Sequence, residues 1–364
     1  MAEWREAPRV EWRDESSLYY ECEPYRGRPS RAFAYVGMPD GATGDTPGMV
    51  LVHGGGGTAF PQWVRMWNER GYAALAMDLS GRGPDGERLP DGGPDQGHEA
   101  KFHAMDEGLR EMWSYHAVAA VVRGVSLLGS LPGVDASRIG VTGISWGGYT
   151  TCMVAGIDDR VRAAIPVYGC GFLHHNSAWL DEFERLSPKH QDAWIRHFDP
   201  SSHLGNAAMP MLWVNGTNDF AYPLDSYRES YRATPGPTSL CIKVGMAHGH
   251  EPGWAPDEIG LFADLHLRDG EAFPAVGSTT VNDGQVSANY ASDRPIVSAG
   301  LHVTSDVGAW PERVWASTAA EIDGDTVHAK LPDARPLVAY LTVEDDRGVT
   351  VSSEHVAFGD HTSE

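Results

Sequence analysis

The 364-residue chain predicts an α/β fold, in which a mostly parallel sheet covered by helices on both faces is followed by a small antiparallel β-sandwich. Three observations carry this prediction. Short continuous apolar runs, of the kind a strand buried on both faces requires, alternate with helix-sized segments. Two of these runs end in glycine-rich turns, His53-Gly-Gly-Gly-Gly57 and Gly143-Ile-Ser-Trp-Gly-Gly148. Beyond Asp269 to Pro274 the helix-sized segments cease, and short β-rich runs separated by turns take over.

Leu18 to Cys22 and Arg31 to Val36 read as antiparallel strands that open the sheet. The buried strands follow at Met49 to Val52, Tyr72 to Met77, Ile139 to Thr142, Ala163 to Val167, Met211 to Asn215 and Leu240 to Val244. Between them, Phe60 to Arg70 and Tyr149 to Gly156 are helix-sized, and Val118, Val121, Val122, Val125 and Leu128 form an i, i+3, i+4, i+7 stripe. Asp257 to Leu267 closes the first domain, predicted to span residues 1–270.

Two segments interrupt the alternation. Asp78 to Glu107, rich in Gly, Pro and Asp, is too long for an ordinary βα loop and is expected to border the site's mouth. Residues 172–209 read as a cap-like insertion, with Trp179, Leu180, Phe183 and Leu186, then Trp194, Ile195 and Phe198, on amphipathic helices.

The second domain, 271–364, carries six strand-like runs: Gln285 to Tyr290, Ile296 to Thr304, Arg313 to Ala319, Thr326 to Leu331, Leu337 to Val343 and Val349 to Phe358. Packing support or a contact in a homo-oligomer is expected of it before carbohydrate binding. Removing everything after Pro274 is expected to cost solubility or assembly more than chemistry.

Gly143 to Gly147 matches G-x-S-x-G, a turn that lifts a serine out between a strand and a helix. A serine hydroxyl needs a base to attack at neutral pH. Two later strand ends supply the partners, Asp219 and His248, which lie 74 and 29 residues further along in the order nucleophile, acid, base. The acid would fix the imidazole tautomer and stabilise the imidazolium. The backbone N–H groups of Trp146 and of the Gly54 to Gly57 loop, Gly55 and Gly56 foremost, are expected to hold the oxyanion. Tyr168, Trp179 and Trp254 are expected at the substrate. His250 is expected to support the histidine loop through Glu251 or by packing near Trp254. No metal or cofactor is expected: His98 and His103, five apart instead of four, miss a shared α-helical face.

On His53 to Gly57, Gly143 to Gly148, Gly216 to Asp219 and His248, residues 30–270 resemble the α/β-hydrolase superfamily. Gly143-Ile-Ser-Trp-Gly-Gly148, Pro166-Val-Tyr-Gly-Cys-Gly171 and His248-Gly-His-Glu-Pro-Gly-Trp254 resemble bacterial acetyl xylan esterase-like and dienelactone hydrolase-like proteins. Dienelactone hydrolases proper carry a cysteine nucleophile, so Ser145 breaks that half of the likeness. The resemblance implies a serine esterase for short acyl esters, acetyl foremost, including those of sugars or oligosaccharides. A peptidase or amidase of the same fold is the enzymatic alternative, and a non-catalytic carbohydrate-binding or scaffold protein is the alternative of another class.

Composition narrows the partners. A formal charge of −22 opposes nucleic acid and anionic membranes and suits a neutral small-molecule substrate. No run of 18 apolar residues is present, and the first residues lack a signal-peptide pattern, so a cytoplasmic location is expected. Cys22, Cys152, Cys170 and Cys241 lack C-x-x-C spacing and are expected to be buried free thiols.

Overall fold

The computed structural model describes residues 2–42 and 44–359. A nine-stranded sheet runs through the first region: β1 (Val10–Asp14), β2 (Ser17–Tyr25), β3 (Arg28–Gly37), β4 (Thr46–Val52), β5 (Ala73–Met77), β6 (Val134–Ile144), β7 (Val161–Val167), β8 (Met211–Gly216) and β9 (Thr238–Lys243). Its order is β1-β2-β3-β5-β4-β6-β7-β8-β9. β1 to β3 pair antiparallel, β5 meets β3 antiparallel, and every pairing from β5 through β9 is parallel. β4 and β5 are buried along their whole length, as their unbroken apolar runs require. β1, absent from the sequence reading, is the exposed edge strand Val-Glu-Trp-Arg-Asp, which offers no buried face to detect.

Among the described residues, the α-helices are α1 (Pro61–Glu69), α2 (Trp113–Ser130), α3 (Trp146–Ala155), α4 (Leu180–Glu184), α5 (Pro188–Phe198), α6 (Leu224–Arg232), α7 (His250–Trp254) and α8 (Asp257–Leu267). α2 is buried around most of its circumference, so Ala117, Ala119, Ala120 and Leu127 join the valine stripe in the core. α4 and α5 make up the insertion. Ser187 caps α5, its side chain accepting from His190 N–H at 3.3 Å, with Pro188 opening the first turn.

The long segment after β5 contains one π turn, Glu99–His103. Here the structure corrects the sequence reading. His98 and His103 reach one partner, because the π turn bonds residue i to i+5 and so brings residues five apart closer to one side than an α-helix would. Both rings close on one carboxylate of the insertion: His98 Nδ1 lies 2.8 Å and His103 Nε2 2.7 Å from Glu182. Arg185 adds two 3.0 Å contacts to the same group, so the long loop and the insertion are latched together. Among the described residues, no group of three or more His, Cys, Asp or Glu side chains is disposed to hold a metal ion.

The C-terminal strands form two antiparallel sheets that share one core. Val286, Ala288, Val327 and Ala329 of one sheet face Leu301, Leu337, Ala339, Leu341 and Val343 of the other. Ile296–Thr304 matches its expected run, whereas Val349 to Phe358 breaks into Thr350–Ser352 and Val356–Phe358. This second core docks onto β9 and α8: Ile242 N–H donates to Ser352 Oγ at 2.9 Å, and Thr350 N–H donates to Glu258 Oε1 at 3.2 Å.

Cys22, Cys152, Cys170 and Cys241 are buried and free. Burial pushes all four thiols up, Cys22 to about 12. No helix among the described residues is long and apolar enough to cross a membrane.

Candidate active site

Ser145 sits between β6 and α3 with φ 59° and ψ −118°, a conformation a non-glycine residue keeps only when its surroundings impose it. The imposing contacts are visible. Ser145 N–H donates to Val167 O at 2.8 Å and Ser145 O accepts from Tyr149 N–H at 2.9 Å, so the serine is tied to β7 and to its own helix. A side chain on Gly147 would overlap Val52 O, because strand and helix meet there backbone to backbone. The G-x-S-x-G spelling is thus a packing requirement as well as a motif. Ser145 is 9% exposed.

Asp219 and His248 come together at the ends of β8 and β9. Asp219 is 2% exposed; its Oδ1 accepts from Ala221 N–H at 2.9 Å and from Tyr222 N–H at 2.8 Å, which satisfies and aims the carboxyl group. Its Oδ2 lies 2.6 Å from His248 Nδ1. A carboxylate there accepts a hydrogen bond from Nδ1–H, which keeps the proton on Nδ1 and leaves Nε2 as the basic nitrogen. No hydrogen bond joins Ser145 Oγ to His248 among the described residues; such bonds often tighten only when substrate is in place. His250, the neighbouring alternative, does not meet Asp219.

The His53 to Gly57 loop lies against the serine. Gly57 N–H donates to Gly54 O at 3.1 Å and Gly56 has φ +70°, so Gly55 and Gly56 are the central residues of a tight turn. Gly54 N–H is occupied, donating to His250 Nε2 at 3.0 Å. The N–H groups of Gly55 and Gly56 find no protein acceptor among the described residues. That of Trp146 opens α3, where no intrahelical acceptor exists.

The three aromatics expected at the substrate are engaged in packing. Tyr168 is fully buried, stacked on the His248 ring at 4.5 Å, with its hydroxyl donating to Ala247 O at 2.7 Å; it backs the histidine instead of facing an opening. Trp179 lies 4.4 Å from the Trp146 ring and 5.1 Å from Tyr222, anchoring the insertion beside the elbow. Trp254 packs on Trp63 at 5.2 Å and Phe60 at 5.5 Å.

Three residues that the sequence reading did not assign also border the site. Phe220, 58% exposed, leans on His248 at 4.7 Å. Lys101 is buried with Nζ 4.2 Å over the Trp146 ring, and burial lowers its pKa to about 7. Asn218, beside the candidate acid, donates from Nδ2 to Arg313 O at 2.6 Å and Pro311 O at 3.1 Å in the second region. Only the places of Asn218 and Phe220 on either side of Asp219 hinted at any of these contacts.

A strained serine on a strand–helix elbow, a His–Asp pair on the next strand ends and a mostly parallel sheet define a serine-hydrolase architecture of the α/β-hydrolase fold. The family model "Acetyl xylan esterase (AXE1)" matches residues 16–210, more than half of the chain. The chain belongs to that family and is a carboxylic ester hydrolase. Among solved structures it is similar to the acetyl xylan esterase of Paenibacillus sp. R4, at TM-score 0.57 and 22% identity, over 71% of this chain and 88% of that one. It is similar too to acetyl xylan esterase 1 of Thermoanaerobacterium sp. JW/SL YS485, at TM-score 0.55 and 19% identity, over 72% and 88%. The acylaminoacyl peptidase of Pyrococcus horikoshii shares the fold at TM-score 0.54 and 19% identity, over 75% of this chain but 44% of the peptidase.

Proposed function

We propose that the chain is a serine esterase that removes short acyl groups, acetyl foremost, from small neutral substrates such as acetylated sugars and oligosaccharides. The observation that carries this reading is the 2.6 Å His248–Asp219 contact together with a serine held at φ 59° on a strand–helix turn.

Ser145 Oγ attacks the ester carbonyl as His248 Nε2 takes its proton. The tetrahedral oxygen is held by the N–H groups of Gly55 and Trp146, with Gly56 a further donor from the same turn. Collapse expels the alcohol, to which His248 returns the proton, and leaves an acyl-enzyme. Water activated by the same histidine then releases the acid. Asp219 keeps the proton on Nδ1 throughout and stabilises the imidazolium. The mechanism uses no cofactor. Trp146, Trp179 and Tyr222 pack against one another beside the serine, which favours a small acyl group over a long one. The −22 charge favours an uncharged substrate.

The test is a panel of 4-nitrophenyl acetate, butyrate and octanoate, acetylated xylo-oligosaccharides and aminoacyl amides, run beside Ser145→Ala and His248→Ala. Acetyl esters should turn over fastest, and both variants should lose on the order of 10⁴-fold or more in kcat. A fluorophosphonate should add to Ser145 as activity disappears. An adduct elsewhere removes Ser145 from its role, and faster cleavage of the amides moves the reading to a peptidase.

A further inference from the structure

The loop that would hold the oxyanion is gripped at one residue, on its two flanking peptides, by two histidines. His53 Nε2 accepts from Leu79 N–H at 2.8 Å, which leaves its proton on Nδ1, 2.8 Å from Gly54 O. On the other side of the same residue, Gly54 N–H donates to His250 Nε2 at 3.0 Å across 196 residues of chain. A Cβ on Gly57 would lie 2.6 Å from His250 Nε2 and 2.9 Å from His53 Nδ1, so the loop is glycine there to admit both rings. A Cβ on Gly54 would come within 2.9 Å of Ser145 Cβ, so the gripped residue is itself packed against the candidate nucleophile.

Resting on the esterase reading, we propose that His250 is a positioning residue for the oxyanion hole: its ring holds the Gly54 N–H, which fixes one side of Gly54, while His53 holds the Gly54 carbonyl whose peptide carries Gly55 N–H, so that together they aim that N–H at the substrate oxygen. Gly249, at φ 172° and ψ 170°, is fully extended, so the side chains on either side of it leave in the same direction. One reaches Asp219 and the other reaches Gly54. The tripeptide His248-Gly249-His250 therefore sets the base and the oxyanion loop in register from a single rigid piece of chain. An acceptor role needs a neutral ring. Phe60 at 4.7 Å and Trp254 at 6.4 Å supply an apolar wall, and burial lowers the His250 pKa to about 4.

His250→Phe keeps an aromatic ring against Phe60 and Trp254 and deletes the acceptor, whereas His250→Gln offers a carbonyl oxygen in its place. On an acetyl ester, His250→Phe should lower kcat roughly 10- to 100-fold with KM within about threefold, since a misaimed donor is felt mainly in the transition state. Binding of a trifluoromethyl ketone, whose serine adduct places an oxyanion in the hole, should weaken by a similar factor, and His250→Gln should recover part of both losses. In the unmodified protein, ¹⁵N chemical shifts of labelled histidine should show His250 protonated on Nδ1 alone at pH 7. A proton on Nε2 overturns the inference whether or not the variants fold. So does an unchanged kcat in His250→Phe, or a loss confined to KM. A fall of both variants to the Ser145→Ala background would make His250 the base and overturn it too. Ser145-dependent hydrolysis with an indifferent His250→Phe sinks this inference alone; hydrolysis that survives Ser145→Ala sinks the esterase reading and the inference together.

Discussion

The two regions of the molecule solve burial differently. In the first, a nine-stranded sheet wrapped in helices leaves β4, β5 and β8 fully buried. That interior can hold a charged group such as Asp219 away from water, because enough backbone donors surround it. In the second, Ala316–Ala319 and Glu321–Asp323 are exposed at every residue, and the shared core is a thin layer of valine, leucine and alanine. Such a layer has no depth in which to tune a catalytic group. Yet the thinner region reaches the site through Asn218, whose amide donates to the Arg313 and Pro311 carbonyls next to the candidate acid. The candidate chemistry and its support are thus divided between cores: one buries the candidate triad, and the other contacts the loop that carries the candidate acid.

The strongest way to break this division is to remove the second region. Truncation after Pro274 uncovers the surface that Ser352 and Thr350 occupy on Ile242 and Glu258, and it frees Asn218. Activity should fall by more than 10-fold even in the fraction that remains folded and monodisperse, as judged by circular dichroism and gel filtration. Full kcat in that fraction would return the second region to the role of packing support and solubility. Asn218→Ala isolates the contact itself and should cost about 1 kcal/mol of stability and several-fold in kcat. If kcat is unchanged, the acid loop stands on its own.

Acid should act on the first region before the second. Burial lowers the pKa of His53, His116, His203, His250 and His266 there, against His302 in the β-sandwich. An unfolded histidine binds its proton near pH 6.5, whereas the folded His250 waits until about 4. Between those values the unfolded chain holds more protons, so stability is complete above about pH 6.5 and declines as pH falls toward 4. Urea midpoints at pH 7.5, 5.5 and 4.5 should decrease in that order, with a shallower decline in His250→Phe. A flat series would mean that the buried rings protonate without unfolding.

The smallest effect is expected at Phe220, which is 58% exposed and rests on His248. Phe220→Ala should leave stability within about 0.5 kcal/mol and alter KM a few-fold at most. A kcat loss near that of Ser145→Ala would show that the exposed ring holds the imidazole in place.

What could be read from sequence followed the length of the local signal. Ile296–Thr304 and Asp257–Leu267 have the bounds that their apolar patterns prescribe, because each pattern lies within one element. The candidate serine, acid and histidine could be proposed because each follows a strand signal, and the structure places His248 Nδ1 against Asp219. β1 escaped because an exposed edge strand carries no periodicity. Contacts between distant segments escaped for a different reason. Nothing in the spelling of Glu182 announces two histidines 84 and 79 residues before it, and the π turn that makes their spacing productive is itself invisible to α-helical counting. Tyr168, Trp179 and Trp254 were expected at the substrate from chain position, but only the structure shows their ring contacts: Tyr168 on His248, Trp179 on Trp146 and Trp254 on Trp63.

The four buried thiols give the molecule an internal clock. A thiol reacts as its thiolate, and these are both shielded from solvent and held protonated, so an aqueous maleimide can reach them only after some part of the structure opens. They stand at separate depths: Cys22 on β2 near the sheet's edge, Cys152 within α3, Cys170 just past β7, and Cys241 on the strand that receives the second region. The sequence in which they become modified would record the sequence in which the layers part, and Cys241 would report the moment the β-sandwich lets go.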